Sequence, residues 1–178
     1  MGAQYDYSFT GKGFHSGLGI NIEGWFGDHL SLNYSFLYNP GQSDEYYLYT
    51  GGGQAAGVYL IKKAIKSRNG LALAVSVGII SFVLPESIGY RFQLAPKSQL
   101  GLYLSPYGFE FVKNRDTGEE DHNISYEFGT RYYFAANHWI HIVPHVGLKS
   151  IYGDDDRGVS FGLSLMFKVK DKSAEPKD

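Results

Sequence analysis

The sequence predicts an all-β protein: a closed, up-and-down antiparallel β-barrel whose outer surface meets lipid. Three observations predict it. Short segments alternate between large apolar and small polar residues at period two. The connectors between them fall into two alternating sets, one tight and one mostly longer and acidic. The polar face is built largely of Gly, Ala and Ser, residues that suit the crowded inside of a narrow barrel.

Taken in order, strands are expected near 4–10, 15–25 and 29–38. The second sets Gly17, Gly19, Asn21 and Glu23 against Leu18, Ile20 and Ile22. The third sets His29, Ser31, Asn33 and Ser35 against Leu30, Leu32, Tyr34 and Phe36. Further strands are expected at 46–62 and 70–83, the latter alternating Ala72, Ala74, Ser76 and Gly78 with Leu73, Val75, Val77 and Ile79. The segment 86–95 sets Ser87, Gly89, Arg91 and Gln93 against Ile88, Tyr90, Phe92 and Leu94. Strands at 99–112 and 122–134 follow. The stretch "ISYEFGTRYYF" puts Ile124, Tyr126, Phe128, Thr130, Tyr132 and Phe134 on one face and Ser125, Glu127, Gly129, Arg131 and Tyr133 on the other. Strands at 138–152 and 157–170 complete the set, with Ser160, Gly162, Ser164 and Met166 opposite Val159, Phe161, Leu163 and Leu165.

Tight connectors ("FGD", "AIKSRN", "PKS", "AAN") alternate with acidic ones ("PGQSDE", "NRDTGEED", "GDDDR"), "LPES" being a short exception. Ten strands is an even count and puts both termini at the tight-turn end. Eight is the alternative, if 4–10 is a disordered arm and "LPES" a bulge. One barrel domain is expected over 1–170, with a flexible tail at 171–178.

Composition fits this reading. Charged residues are 19% of the 178, against roughly 25% in an ordinary soluble domain, and aromatics reach 16% with 15 Tyr and 12 Phe. A net charge of −2 gives no reason to expect nucleic acid. The absence of Cys removes thiol chemistry and Cys-bound zinc. No apolar run reaches the ~18 residues of a transmembrane helix. In the opening "MGAQYDY", Ala3-Gln4 reads as the scar of a removed export signal behind an added start.

Alternation alone does not separate a membrane barrel from a soluble barrel or sandwich. The face composition does. Of 24 polar-face positions in six strands, 15 are Gly, Ala or Ser and four are charged. A surface strand in water would carry Lys, Glu and Thr. The opposite face is large and apolar almost throughout, which suits lipid. Trp25, Phe26, Tyr133, Phe134, Trp139 and Phe167 near the tight turns are expected at headgroup depth.

With these features, the chain resembles the small outer-membrane β-barrels of Gram-negative bacteria. The stretch "LPESIGYRF…LGLYLSPYGFEF" is similar to a recurring feature of small barrel proteins from Bacteroidota. The strand "VSFGLSLMF" resembles the aromatic-ended closing strand that barrel-insertion machinery recognises, though the chain continues eleven residues past Phe167. The resemblance implies an outer-membrane location, periplasmic termini, and contact with the bilayer and lipopolysaccharide.

The ionisable residues expected to face the interior are Glu23, Arg91, Glu127, Arg131, His141, His145 and Lys149. A three-residue "AAN" hairpin would pair Phe134 with His138, and so Arg131 with His141 and Glu127 with His145. Neighbours across strands stand about 5 Å apart, close enough for a salt-bridged ladder. The catalytic candidates are Glu127 and His145, assisting a serine as in barrel enzymes that trim lipid A. His141 and His145 lie four residues apart, about 13 Å on a strand, too far to share a metal. No metal or cofactor is expected, and the acidic connectors read as solvated loops. Lys62, Lys63, Lys66, Arg68 and Lys97 are expected to gather at the tight-turn end, with Lys168 and Lys170 nearby. The reading favours a non-catalytic outer-membrane barrel, structural or an accessory subunit docking other envelope proteins. A lipid A-modifying enzyme and a small passive pore are the alternatives.

Overall fold

The computed structural model describes residues 2–10, 13–26, 29–38, 45–51, 53–66, 76, 78–81, 83–114, 117–153 and 157–167. Among the described residues there are nine strands and one long helix. The strands are β1 (Gly2–Thr10), β2 (Gly13–Phe26), β3 (Leu30–Tyr38), β4 (Glu45–Gly51), β5 (Ser87–Ala95), β6 (Ser98–Asn114), β7 (Glu120–Ala135), β8 (Ile140–Ile151) and β9 (Arg157–Phe167). Helix α1 (Gly53–Lys66) lies between β4 and β5.

All strand pairings are antiparallel, and they form a closed ring. β1 pairs with β2 on one side and β9 on the other, and each later strand pairs with its sequence neighbour up to β9, except around β4 and β5. Those two share a position between β3 and β6: β4 pairs with both near one rim, and β5 with both near the other. Nine strands with two sharing a place give eight positions around the ring. The alternative count of eight therefore describes the barrel, by a different route from the one expected. The segment 4–10 is a paired strand, and "LPES" is where the chain re-enters the wall.

Burial follows the predicted faces. On β3, Ser31, Asn33, Ser35 and Leu37 are buried and face inward. On β7, Ser125, Gly129, Arg131 and Tyr133 are buried, and Tyr126, Phe128, Tyr132 and Phe134 are exposed. Leu18 at 64% and Leu148 at 67% show how open the apolar outer face is. Such a surface is stable only against hydrocarbon. Phe134, Trp139 and Phe167 stand outward near the tight-turn rim. Tyr133 does not: it points inward and is 4% exposed, as its period-two position with Arg131 dictates. The rings of Trp25 and Phe26 lie outside the described residues.

Small residues line the interior because large ones cross it. A Cβ on Gly129 would stand 2.6 Å from the Tyr103 hydroxyl and 2.7 Å from the Gly147 Cα. Gly129 and Gly147 are direct partners across β7 and β8, and together they leave the space that Tyr103 fills.

The largest departure from expectation is at 46–62 and 70–83. The first is strand only to Gly51 and then becomes α1; the second is helical at 78–81. Residues 55–66, "AAGVYLIKKAIK", are rich in Ala and Lys, good helix formers, with no clean alternation. Ala72 and Ala74 lie outside the described residues.

A bulge in β6 between Ser105 and Gly108 explains where α1 packs. It shifts the facing by one residue, so Glu110 turns inward while Phe109 and Phe111 turn outward. Tyr59 and Ala56 of α1 cover these rings from outside, with Phe36 of β3 completing the cluster. Phe111 is 0% exposed although it points away from the lumen. The returning segment crosses α1 closely: a Cβ on Gly78 would stand 2.6 Å from Ile61 Cγ1 and 3.2 Å from the Gly57 carbonyl oxygen.

Helix α1 climbs toward the rim of the longer loops. Lys62 Nζ lies 3.1 Å from Glu120 Oε1, beside the loop between β6 and β7. Lys62 and Lys63 are therefore not at the tight-turn end, as expected from reading 46–62 as a strand. Lys97, in the β5–β6 turn, is at that end. Lys66 ends α1, and Arg68, Lys168 and Lys170 lie outside the described residues.

Where β4 leaves the wall and β5 resumes it, Glu86 bridges the break. Its amide donates to the Asn33 carbonyl at 2.7 Å, and its own carbonyl accepts from Ser105 Oγ at 2.8 Å. Ser35 Oγ donates to its carboxylate.

Replacing Gly129 by Ala should lower stability in detergent micelles by about 1–3 kcal/mol, the usual cost of overpacking. Gly24, whose Cβ would meet nothing within 4 Å, is the control, and Gly24→Ala should leave the urea midpoint unchanged.

Candidate functional site in the barrel interior

β7 carries the centre of the interior. In the ring of eight positions it lies four places from β2, directly across the lumen. Tyr133 Oη donates to Glu23 Oε1 at 2.7 Å, and Arg131 Nη1 stands 3.9 Å from the same oxygen. These two contacts span the barrel from wall to wall. Arg131 also donates to Ser87 Oγ at 3.0 Å and lies over the Tyr103 ring, 4.2 Å from its centroid.

The next layer toward the loops centres on Glu127. Tyr103 Oη donates to its Oε1, and Ser160 Oγ reaches the same oxygen at 2.6 Å. Above it, Lys149 Nζ donates to Glu110, which the β6 bulge has turned inward. Arg91 is nearer the tight turns and donates to Gln99 Oε1 at 2.8 Å. Stacked in this order, the groups fill the lumen with cross-braces. Among the described residues, each buried charge has an opposite charge or a hydroxyl beside it, as burial requires.

The register differs from the one expected. Phe134 pairs with Ile142, not His138, because the turn after β7 is longer than three residues. Asn137 Oδ1 closes that turn by accepting from the amides of Trp139 at 2.8 Å and Ile140 at 2.9 Å. The shift is four residues. Arg131 therefore faces His145 rather than His141, Glu127 faces Lys149 rather than His145, and His141 pairs with Ala135 near the tight-turn rim.

This bears directly on Glu127 and His145 as a catalytic pair. His145 presents its ring edge-on to Tyr103, with centroids 6.3 Å apart. Glu127 is held by Tyr103, Ser160 and its neighbour Lys149. The serine beside it, Ser160, meets the carboxylate directly rather than through an imidazole, the reverse of the order a serine–histidine–acid relay needs. Among the described residues, no group of three or more His, Cys, Asp or Glu is placed to hold a metal ion.

Four interior residues escaped the sequence reading: Tyr103, Tyr133, Glu110 and Glu86. Period two placed Tyr133 inward, but its size suggested the membrane edge. Glu110 depends on the bulge, for which Pro106 in "LSPYG" was the available signal. Glu86 falls where the expected strand 86–95 and the connector "LPES" overlap.

No family model matches the chain, and no curated protein matches it in sequence. Solved structures match in fold. The crystal structure of Neisserial surface protein A (NspA) aligns with a TM-score of 0.52 at 13% identity, covering 94% of each chain. The structure of Ail, the attachment invasion locus protein of Yersinia pestis, aligns with a TM-score of 0.53 at 11% identity, covering 93% of each.

Arg131→Ala should cost about 3 kcal/mol in micelles, since removing one partner leaves the Glu23 carboxylate buried without its cation. Urea unfolding measures it, and a change under about 1 kcal/mol would contradict the bracing role. In planar bilayers the unaltered protein should show no steady conductance, and Arg131→Ala with Tyr133→Ala should open measurable steps.

The closed antiparallel ring, its apolar outside and these two matches agree: the chain has the fold of the small outer-membrane β-barrels.

Proposed function

We propose that the protein is a non-catalytic outer-membrane barrel, a structural element or an accessory subunit of an envelope complex. The observation that carries this reading is the filled lumen. Tyr133 and Arg131 meet Glu23 across the full width of the barrel, which leaves the outer wall and the loops as the working surfaces. The likeness to outer-membrane barrels and the exposed apolar face support the location. Bilayer lipid and lipopolysaccharide are the surroundings this implies, and other outer-membrane proteins are the partners. β1 begins and β9 ends at the rim of the tight turns, and we place that rim on the periplasmic side.

The position of Glu127 argues against the enzyme reading, because Ser160 meets its Oε1 directly rather than through an imidazole. A passive pore is disfavoured by the same braces.

Gentle detergent extraction from the native membrane should recover the barrel together with at least one other envelope protein. Recovery only as a free monomer across several detergents would count against the accessory role. Mass spectrometry of lipid A from cells expressing the protein should show no change. Acyl loss abolished by His145→Ala would replace this proposal with the enzyme.

A further inference from the structure

The outer wall near the loop rim carries a niche that the interior does not account for. It has a volume of about 240 Å³ and is lined by Tyr59, Lys62 and Lys63 of α1 and by Glu120 at the start of β7. It lies on the lipid side. After the β6 bulge the outward rungs run Phe109 with Ile124, Phe111 with His122, and Lys113 with Glu120. Along this series the wall passes from apolar to aromatic to charged. That is the gradient from hydrocarbon to headgroup depth in a membrane.

We propose that this niche binds a phosphate of lipid A, the phosphorylated glycolipid of the outer leaflet. The inference rests on the outer-membrane reading above, with the loop rim facing outward. The Asp121 carboxylate lies 3.9 Å from His122 Nδ1; among the other described outward side chains here, three ammonium groups, Lys62, Lys63 and Lys113, meet one carboxylate, Glu120. That carboxylate gathers two of them, standing 3.1 Å from Lys62 Nζ and 3.9 Å from Lys113 Nζ. An ammonium has three donors, so Lys62 keeps N–H groups for a second anion. Lys62 is held against the wall, its Nζ 4.7 Å from the centroid of the Phe111 ring, and Lys63 lies 5.6 Å from that of Tyr59. Both cations are positioned before any ligand arrives.

The size fits a headgroup substituent rather than a whole ligand, since pockets for complete small molecules run to about 300–1,000 Å³. The acyl chains have their own surface. Directly below the niche on β7, Ile124, Tyr126 and Phe128 are exposed and face outward. A lipid with its phosphate between Lys62 and Lys63 would lay its chains down this stripe.

The test is native mass spectrometry of the detergent-purified protein titrated with diphosphorylated lipid A, dephosphorylated lipid A, phosphatidylglycerol and inorganic phosphate. Diphosphorylated lipid A should be retained best. Lys62→Gln with Lys63→Gln should weaken it by about tenfold or more, the effect of losing charge-assisted hydrogen bonds. Because Lys62 also packs on Phe111, Lys63→Gln alone is the second variant, and it should weaken retention in the same direction. Both variants should keep the shift in gel migration between boiled and unboiled samples that marks a folded barrel. Equal retention by both variants and the unaltered protein overturns the proposal. So does equal retention of lipid A with and without its phosphates. Phosphatidylglycerol binding as strongly would make the niche a general anionic-lipid contact, and displacement by equimolar inorganic phosphate would make it a free-anion site; either result overturns the assignment. Failure of the unaltered protein to show the boiling-dependent shift would instead sink the barrel reading itself.

Discussion

A sheet facing hydrocarbon has no water to satisfy its edges, so each strand must be paired on both sides. The rest of this molecule follows from meeting that demand with only eight positions. A ring so small encloses a narrow lumen. Side chains from opposite walls then meet, and the walls must be thinned where they do. The facing glycines 129 and 147 provide that room, and Tyr103 and its neighbours occupy it. Closure, small residues and cross-braces are one requirement seen at three scales.

The same demand explains the treatment of the broken position. β4 stops at Gly51, and β5 takes up the same line at Ser87. An unpaired break there would leave backbone groups of β3 and β6 open toward lipid, at several kcal/mol each. Glu86 meets both edges through its main chain while its carboxylate joins the interior polar groups. The outward shift of Phe109 and Phe111 gives the excursion an apolar seat, so α1 is anchored by the same bulge that turns Glu110 toward Lys149.

Much of this was legible in residue order. Period two separated inside from outside in β2, β3, β7 and β9, because a half-buried strand has no other way to arrange itself. It failed at α1 and at 78–81, where apolar residues come in runs and periodicity cannot distinguish a strand from a helix packed on a wall. The pairing of Arg131 with His145 was missed for a local reason. Asn137 caps a wider turn than "AAN" suggested, and one turn sets the register of the whole hairpin. The lumen could be predicted as polar and crowded, but which groups meet across it depends on strands far apart in sequence. Nothing in the local pattern links Glu23 to Tyr133.

The interrupted position also carries a topological consequence. An added hairpin would bring two strands and widen the ring; a single added strand would send the C-terminus to the opposite rim. The excursion between Gly51 and Ser87 does neither, because the chain resumes its course in the direction it left. Ring circumference, shear and the side on which the chain ends are all untouched by the residues inserted there. A wall of this kind can acquire a helical outwork on its lipid-facing surface while the pairing of β9 with β1 and β8 stays as it was.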